Sequence, residues 1–138
     1  MKDRIEKISV FLVGGILYSI IEILWRGYTH WTMTAAGGFC FLLLHLINVR
    51  LHHRNLLLKC SIGTAAITAV EFAAGVMVNL IFRLDVWDYS SMSFNLLGQV
   101  CLYFSCMWFL LCIPAYLLSS VIGRFFGMID LEENRESP

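Results

Sequence analysis

Two carboxylates, Glu22 and Glu71, stand inside long apolar segments of this 138-residue chain. Each segment is long enough to cross a bilayer, which a helix of about 20 residues spans. A charged side chain at that depth costs about 2.5–3.5 kcal/mol on insertion scales, so acids there are rare and mark candidate functional sites. Such an acid relays protons, binds a cation or anchors a ligand. The two residues therefore locate a candidate site without identifying its ligand.

The spacing around each acid predicts its neighbours. Arg26 follows Glu22 at i+4, so a helix places the two on one face, where they form an ion pair. Such a pair either belongs to a ligand path or anchors the end of its helix. Glu71 shares a helical face with Gly75 and Asn79, and small residues allow close helix approach. Glu71 is thus expected to face the bundle interior, as a relay or ligand anchor or as a hydrogen-bonded packing group.

Each acidic segment leads into a polar stretch that is rich in aromatic residues. This outer aromatic motif consists of Trp25, Tyr28, Trp31, Trp87 and Tyr89. Its tryptophans suit the headgroup level, where an apolar ring and a polar N–H are both satisfied.

Asp88 lies within the second aromatic stretch, and two amides follow that stretch. Asp88 is expected to accept backbone N–H groups in a turn. Asn95 is expected to cap the fourth helix, and Gln99 lies one turn later on the same face. The predicted ligand or ion path consists of Glu22, Arg26, Glu71, Asn79, Asp88, Asn95 and Gln99.

The composition is that of an integral membrane protein. Hydrophobic residues make up 59% of the chain and charged residues only 14%, with a mean hydropathy of +0.74. A soluble domain carries about 25% charged residues. The net charge of zero gives no electrostatic case for nucleic acid. The five cysteines include no CxxC pair and are expected to act as small buried hydrophobes, so no metal site or cofactor is predicted.

The predicted fold is all-α and polytopic, with four transmembrane helices. Their expected bounds are about Ile8 to Trp25, Thr34 to Val49, Leu56 to Phe82 and Asn95 to Val121. Residues 1–129 form a single transmembrane domain in this interpretation, and residues 130–138 form a short polar cytoplasmic tail.

The basic residues predict the orientation. Eight of the ten collect on one side of the predicted bundle, and only Arg26 and Arg83 lie on the other. This bias favours a multi-pass protein of the cell membrane with both termini in the cytoplasm. Each half then runs from an acidic helix through an aromatic outer loop to a helix that opens with Gly and Cys. Either the chain is a parallel two-plus-two repeat, or any two membrane hairpins look this similar.

The second half carries a specific pattern. It comprises Trp87-Asp88-Tyr89-Ser90, Phe94-Asn95-Leu96, Gly98, Val100-Cys101-Leu102, Ser105 and Trp108, preceded by Glu71 and Gly75. This pattern resembles the putative ABC-transporter type IV family, the CmpB-like permeases. The stretch from Tyr18 through Glu22 and Trp25-Arg26-Gly27 to Gly38 is similar to the small four-helix members. The resemblance covers roughly residues 11–112. The first outer loop departs from the Asn-Arg-Gly and Gly-Pro sequence of longer members.

The resemblance implies a permease-like membrane protein. The chain lacks the GxxxxGK[ST] phosphate-binding motif, so in an ABC system another polypeptide would supply the ATPase. Four helices enclose little of a path, which predicts a homo-oligomer or a separate transporter subunit, in addition to the lipid bilayer. One alternative is a scaffold or assembly subunit without its own ligand. A membrane-embedded enzyme acting on lipid is the less favoured alternative, because no catalytic motif is present.

Overall fold

Four long helices form the structure, a computed structural model that describes residues 1–127 and 134–135. They are α1 (Lys2–Arg26), α2 (Trp31–Arg50), α3 (Leu56–Gly75) and α4 (Leu102–Phe126). A π-helical segment, Val76–Ile81, extends α3 to a span of 26 residues. All four helices are long and apolar enough to cross a membrane, which confirms the predicted number. Most of the predicted tail, residues 130–138, lies outside the described residues.

Local signals set the helix ends. Gly27 closes α1 in the left-handed conformation, with φ of 83°, and its N–H bonds the Ile23 carbonyl at 2.8 Å. His30 is the N-cap of α2, and its ring accepts a hydrogen bond from the backbone N–H of Thr32. Asn55 caps α3 by accepting a hydrogen bond from the Leu58 N–H at 2.8 Å.

The predicted start of the fourth helix at Asn95 is wrong. Asn95–Leu96 and Val100–Cys101 pair as short antiparallel strands, β1 and β2, and α4 begins only at Leu102. Leu97 and Gly98, between the strands, have φ values of 51° and 69°, which a right-handed helix excludes. Asn95 therefore does not cap α4. Its side-chain oxygen accepts a hydrogen bond from the Gly98 N–H at 3.0 Å and holds the hairpin turn.

Helices α1 and α2 pack most closely, while α1 meets α4 over a much shorter stretch. Glycine allows the close α1–α2 approach: a Cβ on Gly38 would lie 2.6 Å from the Phe11 carbonyl oxygen. The apolar core lies where α2, α3 and α4 meet, around Leu44, Cys60, Ile67, Cys112 and Tyr116. The limited contact between α1 and α4 leaves a groove on that side of the bundle.

A second buried region is polar and joins all four helices. Its side chains, named here the buried polar network, are Glu6, His45, Asn48, Lys59, Ser119 and Ser120. The His45 ring bridges Glu6 at 3.0 Å and Ser119 at 2.9 Å. Asn48 accepts a hydrogen bond from the Lys59 ammonium at 2.8 Å and donates to Ser119 and Ser120. The network therefore fixes the bundle at the end opposite the segment that joins α3 to α4.

Candidate functional site

Glu71 is a buried acid whose hydrogen-bond donors carry no charge. Its side chain points into the bundle, as predicted, and the residue is only 7% exposed. The Tyr89 hydroxyl donates to one carboxylate oxygen at 3.1 Å, and the Trp108 indole N–H donates to the other at 3.0 Å. Within the described residues, no basic side chain forms an ion pair with Glu71. The described part of the chain thus places this acid in an apolar region without a countercharge.

Tyr89 reaches Glu71 from the connecting segment, which we define as residues 82–101 between α3 and α4. Its ring stacks on Phe104, with ring centroids 4.7 Å apart. Burial raises the pKa of the Tyr89 phenol above its usual value, and the nearby Glu71 carboxylate raises it further. Tyr89 consequently stays protonated at neutral pH and can donate its hydrogen bond.

Glu22, in contrast, has its countercharge within the chain. One carboxylate oxygen lies 2.8 Å from Arg26, which confirms the predicted pair, although the N–H is not aligned for a hydrogen bond. Thr29 donates to the other oxygen at 2.5 Å. Arg26 also donates to the Val86 carbonyl at 2.8 Å, and its guanidinium lies 4.5 Å from the ring centre of Tyr28. The Glu22–Arg26 pair therefore ties α1 to the connecting segment.

Asn79 and Gln99 hold the connecting segment against the π-helical end of α3. The Asn79 side chain accepts a hydrogen bond from the Val86 N–H at 2.8 Å and donates to the Gln99 side chain at 2.9 Å. The Trp87 indole donates to the Gln99 carbonyl at 3.0 Å. Trp87 is consequently buried, and its N–H is satisfied within the protein instead of at the headgroup level where it was expected. These bonds orient Trp87 and Tyr89 toward the bundle.

Asp88 and Asn95 lie at the surface and shape turns. The exposed Asp88 carboxylate accepts hydrogen bonds from the N–H and hydroxyl of Ser90, both at 2.8 Å, which confirms the predicted turn. These donors stabilise the charged form and lower the pKa of Asp88 below its usual value. Trp31 also lies at the surface, at the start of α2, and is 73% exposed.

The groove between α1 and α4 contains two adjoining cavities, of about 230 and 630 Å³. Tyr18, Met33, Trp87, Trp108 and Pro114 line both, so the cavities form one continuous space, which we call the α1–α4 groove. The smaller cavity reaches Glu71 and continues into the apolar interior. The larger cavity is bordered by Glu22, Trp25, Arg26, Tyr89, Tyr103 and Phe104, among others.

The groove brings together part of the predicted path. Glu22 and Arg26 border the larger cavity, Glu71 borders the smaller one, and its donors Tyr89 and Trp108 reach the larger one too. Asn79, Asp88, Asn95 and Gln99 line neither cavity.

Sequence reasoning assigned no role to Tyr18, although it lies four residues before Glu22 and so on the same helical face. Its ring lies 5.9 Å from that of Trp108, and its hydroxyl has no hydrogen-bond partner among the described residues.

The groove opens on the outside of the bundle. Leu24, Trp25 and Leu110 border the larger cavity and are 82%, 68% and 60% exposed. In a bilayer, apolar side chains on this surface face lipid. The opening between α1 and α4 therefore gives lateral access from the hydrocarbon to the aromatic walls.

The family model for the putative ABC-transporter type IV proteins matches residues 9–132. The match includes both intramembrane acids, the connecting segment and nearly all of the four helices. No curated protein and no solved structure matches the chain. The resemblance read from the second-half pattern is thus confirmed over most of the sequence.

Proposed function

The chain belongs to the putative ABC-transporter type IV family, and from this premise we propose that it is a permease-like component of a membrane transport system. In this proposal both termini lie in the cytoplasm, and the α1–α4 groove forms part of the ligand path. ATP hydrolysis is assigned to a separate polypeptide, since this sequence lacks a phosphate-binding loop.

The observation that carries the proposal is the setting of Glu71. An acid in hydrocarbon is costly, and pairing with a basic residue is the usual compensation. Glu71 instead accepts two hydrogen bonds from neutral donors, at the wall of a cavity. A purely structural acid needs no cavity beside it, whereas an acid that meets a ligand does.

The open side of the groove supports an oligomer or a second subunit. Exposed residues of α1 and α4 border the larger cavity, so one chain leaves the path unclosed toward the bilayer. A second copy or a different membrane subunit that packs beside this opening would extend the wall and leave a lateral entrance for a ligand from the bilayer.

Affinity purification from native membranes in mild detergent tests the proposal, with the eluate identified by mass spectrometry. We expect stoichiometric recovery of an ATP-hydrolysing subunit. The same purification with Glu71→Gln should recover that subunit equally, because the substitution lies inside the bundle and leaves the surface unchanged. Recovery of the chain alone, as a discrete homo-oligomer, would remove the assignment to an ABC-type complex.

A scaffold or assembly subunit is the second candidate, and the contacts of Glu22 within the chain favour it. This acid has its countercharge and its hydrogen-bond donor within the chain, as a structural residue requires. A scaffold tolerates amide replacement of Glu71 with no loss of the function of its complex. A permease-like component loses transport in the same variant while its amount in the membrane is unchanged.

A further inference from the structure

We propose that the α1–α4 groove binds a hydrophobic organic cation, an ammonium or phosphonium with apolar substituents, whose charge lies beside Glu71. This inference names the ligand class of the path described above, and only its transport step rests on the proposed function. Binding itself depends on this chain alone.

Charge balance in the groove favours a monovalent cation. The charged residues that line it are Glu22, Arg26 and Glu71. Glu22 and Arg26 form an ion pair and cancel, so Glu71, when ionised, is the uncompensated charge in the groove. An anion would meet that charge in a medium of low dielectric constant, where repulsion is strong. A monovalent cation neutralises it.

The aromatic walls also suit a cation. Tyr18, Trp87 and Trp108 line both cavities, and Tyr89 and Phe104 line the larger one. The faces of such rings attract a positive charge within about 6 Å, most strongly when water is excluded. Tyr18 lines both cavities, and its hydroxyl has no hydrogen-bond partner among the described residues. Pro114, which has no N–H, leaves the Leu110 carbonyl without its usual helical donor on the same side of α4.

The remaining lining excludes a small hydrated ion as the preferred ligand. A bare metal cation requires several oxygen ligands, about six to eight for Ca²⁺. The groove offers one unpaired carboxylate, and both its oxygens already accept hydrogen bonds. Apolar side chains such as Ile21, Met33 and Leu111 form much of the other walls and require apolar substituents on the ligand.

Size and access agree with this ligand class. The larger cavity, at about 630 Å³, lies within the range of about 300–1,000 Å³ that is usual for small-molecule sites. Exposed apolar residues border the entrance of this cavity. A ligand that partitions into the bilayer therefore reaches the cavity without crossing the polar connecting segment.

Equilibrium binding to the purified full chain in detergent tests the inference, with radiolabelled tetraphenylphosphonium as the probe. We expect saturable binding by the wild type. Affinity should fall on the order of tenfold or more in Glu71→Gln, because the charge pair is lost in a low-dielectric site. Tetraphenylborate, which has the same shape and the opposite charge, should not bind saturably. Asp88→Asn is the matched control: it removes an acid outside the groove and should retain wild-type affinity.

Leu111→Trp keeps the inference testable if the Glu71 variant fails to fold. Leu111 lines both cavities, so the larger side chain fills space in the groove while Glu71 itself is kept. It should abolish saturable binding. The inference is overturned if the wild type does not bind the phosphonium, if either folded variant binds it as the wild type does, or if tetraphenylborate binds equally well. Failure to recover an ATP-hydrolysing subunit would not affect these results, so the two proposals fail separately.

Discussion

The two intramembrane acids differ in how their charge is stabilised. Glu22 has an arginine one helical turn away and a threonine in the loop that follows its own helix. Glu71 depends on two uncharged donors, one from the connecting segment and one from α4. Hydrogen bonds to a charged group contribute about 1.5–3 kcal/mol each, which offsets only part of the cost of burial. Glu71 therefore remains the acid that a cation would stabilise most.

Replacing Trp108 with phenylalanine tests this view of Glu71. The change retains an aromatic ring but removes the donor to one carboxylate oxygen. We expect the free energy of unfolding to fall by about 1–3 kcal/mol, because a buried acceptor loses its partner. Thermal unfolding in detergent measures the effect. Trp31 is exposed and its indole N–H has no hydrogen-bond partner among the described residues, so Trp31→Phe should leave the midpoint unchanged. Equal midpoints for both variants would show that the hydrogen bond from Trp108 to Glu71 does not stabilise the fold.

At the level of elements, the connecting segment is held by a few side chains from α3. The π-helical turn brings Asn79 to the Val86 N–H and the Gln99 side chain, so one residue fixes two parts of the segment. Such π-helical insertions occur frequently at functional sites. Here the insertion orients the loop that carries Trp87 and Tyr89.

Asn79→Ala should loosen the connecting segment while the helices persist. The Val86 N–H and the Gln99 side chain lose their partner, and each unsatisfied buried group costs about 1–3 kcal/mol. Hydrogen–deuterium exchange of residues 83–101 should accelerate on the order of tenfold or more. Asn55→Ala removes an asparagine that caps α3 at its other end, so exchange of this segment should remain as in the wild type. Unchanged exchange in Asn79→Ala would show that other contacts hold the segment.

The α1–α2 pair depends on glycine at its contact. A Cβ on Gly38 would approach the Phe11 carbonyl to 2.6 Å, and a backbone atom in a helix cannot move aside on its own. Gly38→Ala should therefore push the two helices apart and destabilise the fold by about 1–3 kcal/mol, the usual cost of overpacking. Thermal unfolding in detergent again provides the measurement. Ala35→Val adds volume at an exposed position of the same helix and should have little effect.

Hydropathy predicted the four helices because each carries a long apolar run. It placed the start of α4 seven residues too early, since Leu96, Leu97 and Val100 are apolar although they belong to a hairpin. The Glu22–Arg26 pair followed from its i, i+4 spacing. The donors to Glu71 could not be predicted in this way. Tyr89 and Trp108 lie 18 and 37 residues from Glu71, and their contact with it depends on the order of the helices in the bundle. Spacing along one helix contains no such information.

At the scale of the whole molecule, the bundle has an apolar middle between two polar ends. The groove lies toward the connecting segment, and the buried polar network lies toward the chain termini. Sequence reasoning assigned Lys59 to the cytoplasmic basic flank, whereas its ammonium lies inside the bundle against Asn48. Interhelical hydrogen bonds in membranes average about 0.6 kcal/mol, so a network that joins four helices contributes mainly as a set.

Asn48→Ala should be the most damaging single change in that network. Asn48 receives a hydrogen bond from Lys59 and donates to Ser119 and Ser120. Its loss leaves a buried ammonium without this acceptor, which costs more than the about 1–3 kcal/mol of an unsatisfied neutral group. We expect much reduced folded yield and a lower unfolding midpoint. Ser61→Ala, where an exposed hydroxyl bonds only its own helix, should behave as the wild type.

The orientation of the whole bundle gives the last prediction. Basic residues are concentrated at the α2–α3 turn and near the termini, whereas Arg26 and Arg83 lie at the other end, which favours cytoplasmic termini. In a background with the five cysteines replaced by alanine, Ser91→Cys on the connecting segment should react with a membrane-impermeant maleimide in intact cells. Arg54→Cys at the α2–α3 turn should react only after the cells are permeabilised. Both positions are exposed, so burial cannot explain a difference. The reverse labelling pattern would place the connecting segment at the cytoplasmic face and contradict the proposed orientation.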